Sequence, residues 1–135
     1  MKKLLIVDDD APIRRLLVAT FQHEYVVLEA ADGISALSLV ENEQPDLVIL
    51  DGKLPRLDGL AVLVAIKQDP KTAHILVMMM TGRSQLEDLE RGMDLGADAY
   101  FIKPVSPARL RAWAQEHLEL GKKSPIRPEE TATSR

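Results

Sequence analysis

The sequence predicts an α/β fold in which one parallel sheet of five strands is covered by helices on both faces. Short apolar runs recur at Leu4–Val7, Tyr25–Leu28, Leu47–Leu50, Ile75–Met80 and Ala99–Ile102. Stretches with apolar residues at helical spacing separate them. The runs are almost continuously apolar rather than alternating, as expected for strands buried on both faces.

Leu4-Leu5-Ile6-Val7 reads as the first strand. Asp10 can cap the helix that follows, Pro12 is tolerated in its first turn, and Ile13, Leu16, Leu17 and Phe21 form its buried stripe. Tyr25-Val26-Val27-Leu28 is rich in β-formers and reads as the second strand. Asp32-Gly33 opens a second helix with Ala36, Leu37 and Val40 on one face. The third strand ends at Asp51. The loop Gly52–Leu57 follows, and Asp58 is placed to cap a third helix. The fourth strand ends in Thr81-Gly82, after which Ser84 and Glu87 match a capping box for a fourth helix. The fifth strand runs into Lys103-Pro104. Ser106-Pro107 then starts a fifth helix carrying Leu110, Trp113, Ala114 and Leu118, with Gly121 as its C-terminal cap.

The 135 residues fit one domain over 1–120. Residues 121–135 are polar, carry no period and read as a disordered tail or a linker stub. The chain thus reads as a stand-alone domain or as one cut from a longer chain. A formal net charge of -4 argues against a direct nucleic-acid surface. Without cysteine, disulfides and thiolate metal sites are excluded. The apolar run after Lys3 stops at Asp8-Asp9-Asp10, too short for a signal peptide. No run approaches the ~18 apolar residues of a membrane span. The expected setting is cytoplasmic, with no membrane partner.

In an open parallel sheet, ligands bind at the carboxyl ends of the strands. Those ends carry Asp8-Asp9-Asp10, Asp51, Thr81 and Lys103. Each alone has a plain reading as a cap, turn or surface residue. Together they describe a site. Clustered carboxylates repel unless a cation neutralises them, and all-oxygen ligation suits Mg²⁺. Asp51 can act as a nucleophile toward phosphorus, Lys103 can balance phosphoryl charge, and the Thr81 hydroxyl can donate to a phosphoryl oxygen.

The combination Asp8-Asp9, Asp51, Thr81 and Lys103-Pro104 resembles the receiver domains of two-component response regulators over about residues 3–120. The resemblance implies a doubly wound, flavodoxin-like sheet in the order 2-1-3-4-5. It implies that Asp51 is the phosphoacceptor. Mg²⁺, for which Mn²⁺ can substitute, would be held by Asp9 directly, Asp8 through water, Asp51 and the backbone carbonyl of Lys53. Thr81 and Lys103 would bind the phosphoryl group, and Tyr100 would be a switch aromatic. The Lys103-Pro104 bond would be cis. The side chains of Lys53 and Arg83 would tune hydrolysis, and two long cations there suggest a long-lived phosphorylated state. The implied partners are a histidine kinase or phosphotransfer protein. A downstream protein or a second copy would bind the face of the fourth helix, fifth strand and fifth helix, with Arg91, Tyr100 and Arg111 as candidate contacts. The implied role is a signalling switch rather than an enzyme.

Two other classes fit less well. An interaction module that works without phosphorylation would not need the whole acidic and cationic set. A Mg²⁺-dependent phosphatase resembling the haloacid dehalogenase group would place a second Asp two residues after the nucleophile, where this chain has Lys53.

Overall fold

The computed structural model describes residues 1–82 and 96–119. β1 (Lys3–Val7), α1 (Ala11–Phe21), β2 (Val26–Ala30), α2 (Gly33–Glu43), β3 (Leu47–Asp51), α3 (Gly59–Gln68), β4 (Leu76–Thr81) and β5 (Ala99–Ile102) are followed by a last helix, Pro107–Ala114. The strands form one parallel sheet in the order β2-β1-β3-β4-β5. The chain therefore reverses its winding direction at β1 and β3, which opens a crevice at their carboxyl ends. The expected fourth helix with its Ser84–Glu87 box, the side chains of Arg83 and Arg91, and the tail lie outside the described residues.

Strand residues alternate between two cores, because successive side chains point to opposite faces. Leu5, Val7, Val48, Leu50, Val77, Met79 and Tyr100 meet Ala36 and Val40 of α2 and Val62, Leu63 and Ile66 of α3. On the other face Leu4, Ile6, Leu47, Ile49, Met78, Met80 and Phe101 meet Leu17 and Phe21 of α1 and Leu110, Trp113 and Ala114 of the last helix. Each fully buried Leu or Ile contributes on the order of 1.5–3 kcal/mol through removal from water. This sandwich holds the strand ends in fixed register.

Four expectations shift in detail. β2 starts at Val26 because the Tyr25 N–H donates to the Phe21 carbonyl at 3.0 Å and so closes α1. The Tyr25 ring instead packs edge-on against Phe21. Leu16 is not part of the α1 core stripe but 51% exposed, because Leu17 and Phe21, four residues apart, set the buried face. Asp58 occupies the N-cap position of α3 without a side-chain cap bond; its carbonyl instead accepts from Val62 N at 3.0 Å. The last helix widens into a π-helical turn over Gln115–Glu119, where the His117 ring stacks on Trp113.

Candidate functional site

The crevice at the carboxyl ends of β1 and β3 gathers the acidic residues. Asp8, Asp9 and Asp51 each offer a carboxylate oxygen, and these oxygens lie within 4.8 Å of one another. Asp8 and Asp51 are buried and Asp9 is exposed, so the cluster opens to solvent on the Asp9 side. Lys103, just past β5, reaches in: its Nζ lies 3.0 Å from Asp51 Oδ2 and 3.8 Å from Asp8 Oδ2. Thr81, the last residue of β4, is buried beside it, and the Lys103 N–H donates to the Thr81 carbonyl at 2.7 Å. The Lys103–Pro104 peptide bond is cis.

Local backbone contacts hold these groups. The Asp10 N–H donates to Asp8 Oδ1 at 2.9 Å, folding the acidic turn back on itself. The Asp10 side chain accepts from Ile13 N and caps α1. The Lys53 N–H donates to Asp51 Oδ1 at 3.2 Å, so the Lys53 backbone lies against the Asp51 carboxylate while its side chain is exposed. Gly52 N donates to the Met80 carbonyl and Gly59 N to the Gly52 carbonyl, which ties the loop to β4 and to the start of α3.

The electrostatics are those of a pocket short of positive charge. Burial, followed by repulsion from Asp51, pushes the Asp8 carboxyl up to about 6, against the bond from Asp10 N and the attraction of Lys103. Burial opposes the charge on Lys103, but its hydrogen bond to Asp51 and the field of Asp51, Asp8 and Asp9 outweigh that and hold its pKa above the ordinary value. Asp8 Oδ2 is buried without a hydrogen-bond partner among the described residues. An orphaned carboxylate oxygen beside two further carboxylates fits a bound cation, whose charge would satisfy it.

Three positioning features were not read from the sequence. Arg14 of α1 donates to the Asp8 carbonyl at 2.8 Å and pairs with Glu29 of β2 at 3.3 Å, clamping the acidic turn from behind. A β-carbon on Gly59 would stand 2.1 Å from the Asp51 carbonyl oxygen, so only glycine lets α3 start that close to Asp51. A β-carbon on Gly33 would stand 2.0 Å from the Leu57 carbonyl oxygen. The Asp-Gly dipeptides at 32–33 and 58–59 were the available signal, read only as helix starts.

The model of the response regulator receiver domain matches residues 4–115. The chain belongs to the response regulator receiver domain family. It is 38% identical over 120 residues to sporulation initiation phosphotransferase F of Bacillus subtilis, covering 88% of this chain and 95% of that protein. It is 41% identical over 112 residues to the probable transcriptional regulator ycf27 of Porphyridium aerugineum, covering 82% of this chain and 45% of that protein. The receiver thus spans under half the length of the ycf27-type regulators that it matches. Among solved structures it is similar to the chemotaxis response regulator CheY4 of Vibrio cholerae, with a TM-score of 0.79, 30% identity and coverage of 86% and 98% of the two chains. The expected fold class and strand order are those observed. Among the described residues no helix is long and apolar enough to cross a membrane.

Of the other expected positions, Tyr100 is fully buried against the α2–α3 core. Arg111 pairs with Glu24 across the α1–β2 turn at 2.6 Å.

Proposed function

We propose that this receiver accepts a phosphoryl group on Asp51 in a Mg²⁺-dependent transfer from the phosphohistidine of a histidine kinase or a phosphotransfer protein. The observation that carries the reading is the convergence of Asp8, Asp9 and Asp51 within 4.8 Å, with Lys103 at 3.0 Å from the Asp51 carboxylate. The carboxylates of Asp8, Asp9 and Asp51 and the Lys53 carbonyl would hold the ion. When bound, it supplies positive charge to the phosphoryl oxygens and offsets the mutual repulsion of the carboxylates.

An Asp51 carboxylate oxygen attacks phosphorus, the P–N bond to the donor histidine breaks, and the ring nitrogen keeps that electron pair. Lys103, whose raised pKa keeps it charged at neutral pH, then balances a phosphoryl oxygen in addition to the carboxylate it already meets. The Thr81 hydroxyl donates to another oxygen. The name of the Bacillus relative, a phosphotransferase, supports the same chemistry. An apolar groove of about 430 Å³ lined by Ile13, Leu16, Lys103, Pro104 and Val105 borders the pocket, a fitting seat for a protein donor.

The output follows from Tyr100. Its buried position on β5, opposite Met79 and two residues short of the Thr81 register, suits a switch in which movement of Thr81 and residence of Tyr100 in the core are linked, shifting the population of the face that a downstream protein or a second receiver binds. The net role is a phosphorylation-controlled signalling switch. Exposed Lys53 and the Arg83 position suit a shielded, long-lived acyl phosphate. The double variant Lys53→Ala, Arg83→Ala should lose the phosphoryl group faster, and an unchanged lifetime would remove this part of the reading.

The deciding experiment is incubation with Mg²⁺ and acetyl phosphate followed by intact mass. One phosphoryl group should be added, none to Asp51→Asn and none in the presence of a chelator. Addition to Asp51→Asn would place the acceptor elsewhere.

A further inference from the structure

The loop after Asp51 is held from outside, by the N-terminus of α2. The Gly33 N–H donates to the Pro55 carbonyl at 3.3 Å, and Gly33 Cα sits where a β-carbon would overlap the Leu57 carbonyl at 2.0 Å and its carbon at 2.8 Å. The two backbones are therefore in direct contact, with no room for a side chain between them. Between Pro55 and Leu57, Arg56 adopts φ 68°, a left-handed conformation that non-glycine residues seldom occupy. The Leu57 N–H donates to the Pro55 carbonyl at 2.8 Å, so Arg56 heads a three-residue turn of the strained γ kind. Its guanidinium meets Asp32 Oδ2 at 3.3 Å, and Asp32 in turn caps α2 through Ser35 N at 2.8 Å. Such a turn persists where its surroundings over-determine it. Here the surroundings are Gly33 and Asp32.

We propose that Gly33 and the left-handed turn at Arg56 are positioning elements for the metal: together they fix the loop that presents the Lys53 carbonyl to the Asp8–Asp9–Asp51 cluster. This deepens the function proposed above and rests on it. The loop spans only Gly52 to Asp58 between β3 and α3, and its far end is already fixed by the Gly59 contact on the Asp51 carbonyl. A displacement at Pro55–Leu57 therefore has little slack to absorb it before Lys53. The exposed Arg56–Asp32 ion pair contributes little by itself. The close backbone approach and the sign of φ are what set the loop.

The experiment compares the native protein with Gly33→Ala, Arg56→Val and Arg56→Gly, with Mg²⁺ as the probe. Mg²⁺ affinity is measured by calorimetry. Thermal unfolding in EDTA and the Mg²⁺ dependence of phosphorylation by acetyl phosphate are followed alongside. Gly33→Ala must move the loop, and Arg56→Val places a β-branched residue at positive φ. Each should weaken Mg²⁺ binding about tenfold and shift half-saturation of phosphorylation equally, with the plateau at saturating Mg²⁺ kept. Arg56→Gly removes the charge but keeps the turn, and should bind Mg²⁺ as the native protein does. Native Mg²⁺ affinity in both Gly33→Ala and Arg56→Val, with or without a lowered unfolding temperature, would overturn the proposal, because a purely structural contact moves only the latter. If Gly33→Ala does not fold, the Arg56 pair decides alone: equal loss in Arg56→Val and Arg56→Gly would show that the charge matters and the turn does not. Failure of the native protein to bind Mg²⁺ would instead strike the function proposed above.

Discussion

Asp8→Asn takes one negative charge out of the most enclosed corner of the acidic pocket while keeping the acceptor that Asp10 N uses. The folded-state pKa of Asp8 stands at about 6 against an ordinary 3.8. The fold therefore prefers protonated Asp8. That contribution to stability is complete below the unfolded pKa near 3.8 and is lost as pH rises through about 6. Two pH units at about 1.4 kcal/mol each give roughly 3 kcal/mol by which ionised Asp8 weakens the metal-free protein at neutral pH. Asp8→Asn should thus be more stable than the native chain in EDTA at pH 7.5, by about 3 kcal/mol at most. In a domain of this size that is roughly 10 °C in unfolding midpoint. At pH 4 the two proteins should converge, because native Asp8 is then largely protonated. Addition of Mg²⁺ should narrow the difference, since an ion at 100 times its Kd stabilises the native protein by about 2.7 kcal/mol and the variant by less. Thermal and urea unfolding at both pH values, with EDTA and with Mg²⁺, test all three statements. An Asp8→Asn protein no more stable than the native one in EDTA at pH 7.5, or a difference that ignores pH, would refute the picture of an under-neutralised pocket.

Other perturbations separate the site from the scaffold. Lys103→Met removes the cation 3.0 Å from Asp51 and should cost about 2 kcal/mol in EDTA, less in Mg²⁺, by urea unfolding. The folded-state pKa of Lys103 lies above 10.5, so the native advantage should persist through neutral pH and fade only as pH rises past that raised value. Leu63→Ala empties a fully buried position under α3 and should lower stability by about 2–5 kcal/mol, measured by urea denaturation. Lys67→Met deletes three contacts, to the Ala73 and Ile75 carbonyls and to Asp98 at 3.0 Å. It should cost about 2 kcal/mol while leaving Mg²⁺ titrations unchanged, since these contacts lie at the start of β4 and β5, away from the carboxyl ends.

The fold was legible because its strands are mostly apolar and each helix carries a stripe. The α1–last-helix core and the α2–α3 core follow directly from which residues alternate along Leu4–Val7 and Leu47–Leu50. The acidic cluster was legible because parallel topology sends every strand end to one edge, which brings residues as distant as Asp8 and Lys103 together. Contacts between loops had no such signal. Nothing periodic ties Gly33 to Leu57, Arg14 to the Asp8 carbonyl, or Gly59 to Asp51, and each depends on how two turns meet in space. The boundary of β2 was misplaced for a related reason. Tyr25 and Val26 have equal β character, and the hydrogen bond to Phe21 that decides between them belongs to the end of a helix.

The two-sided sheet has a consequence for how such a molecule can be watched. Tyr100 and Trp113 belong to opposite layers, with the β4 and β5 backbones standing between them like a bulkhead. Repacking around Tyr100 would propagate along its own layer, whereas the indole, stacked on His117 beneath the other, is shielded from it. If phosphorylation of Asp51 repacks Tyr100 as proposed, a reporter dye attached on the Tyr100 side should register it more strongly than native tryptophan emission does.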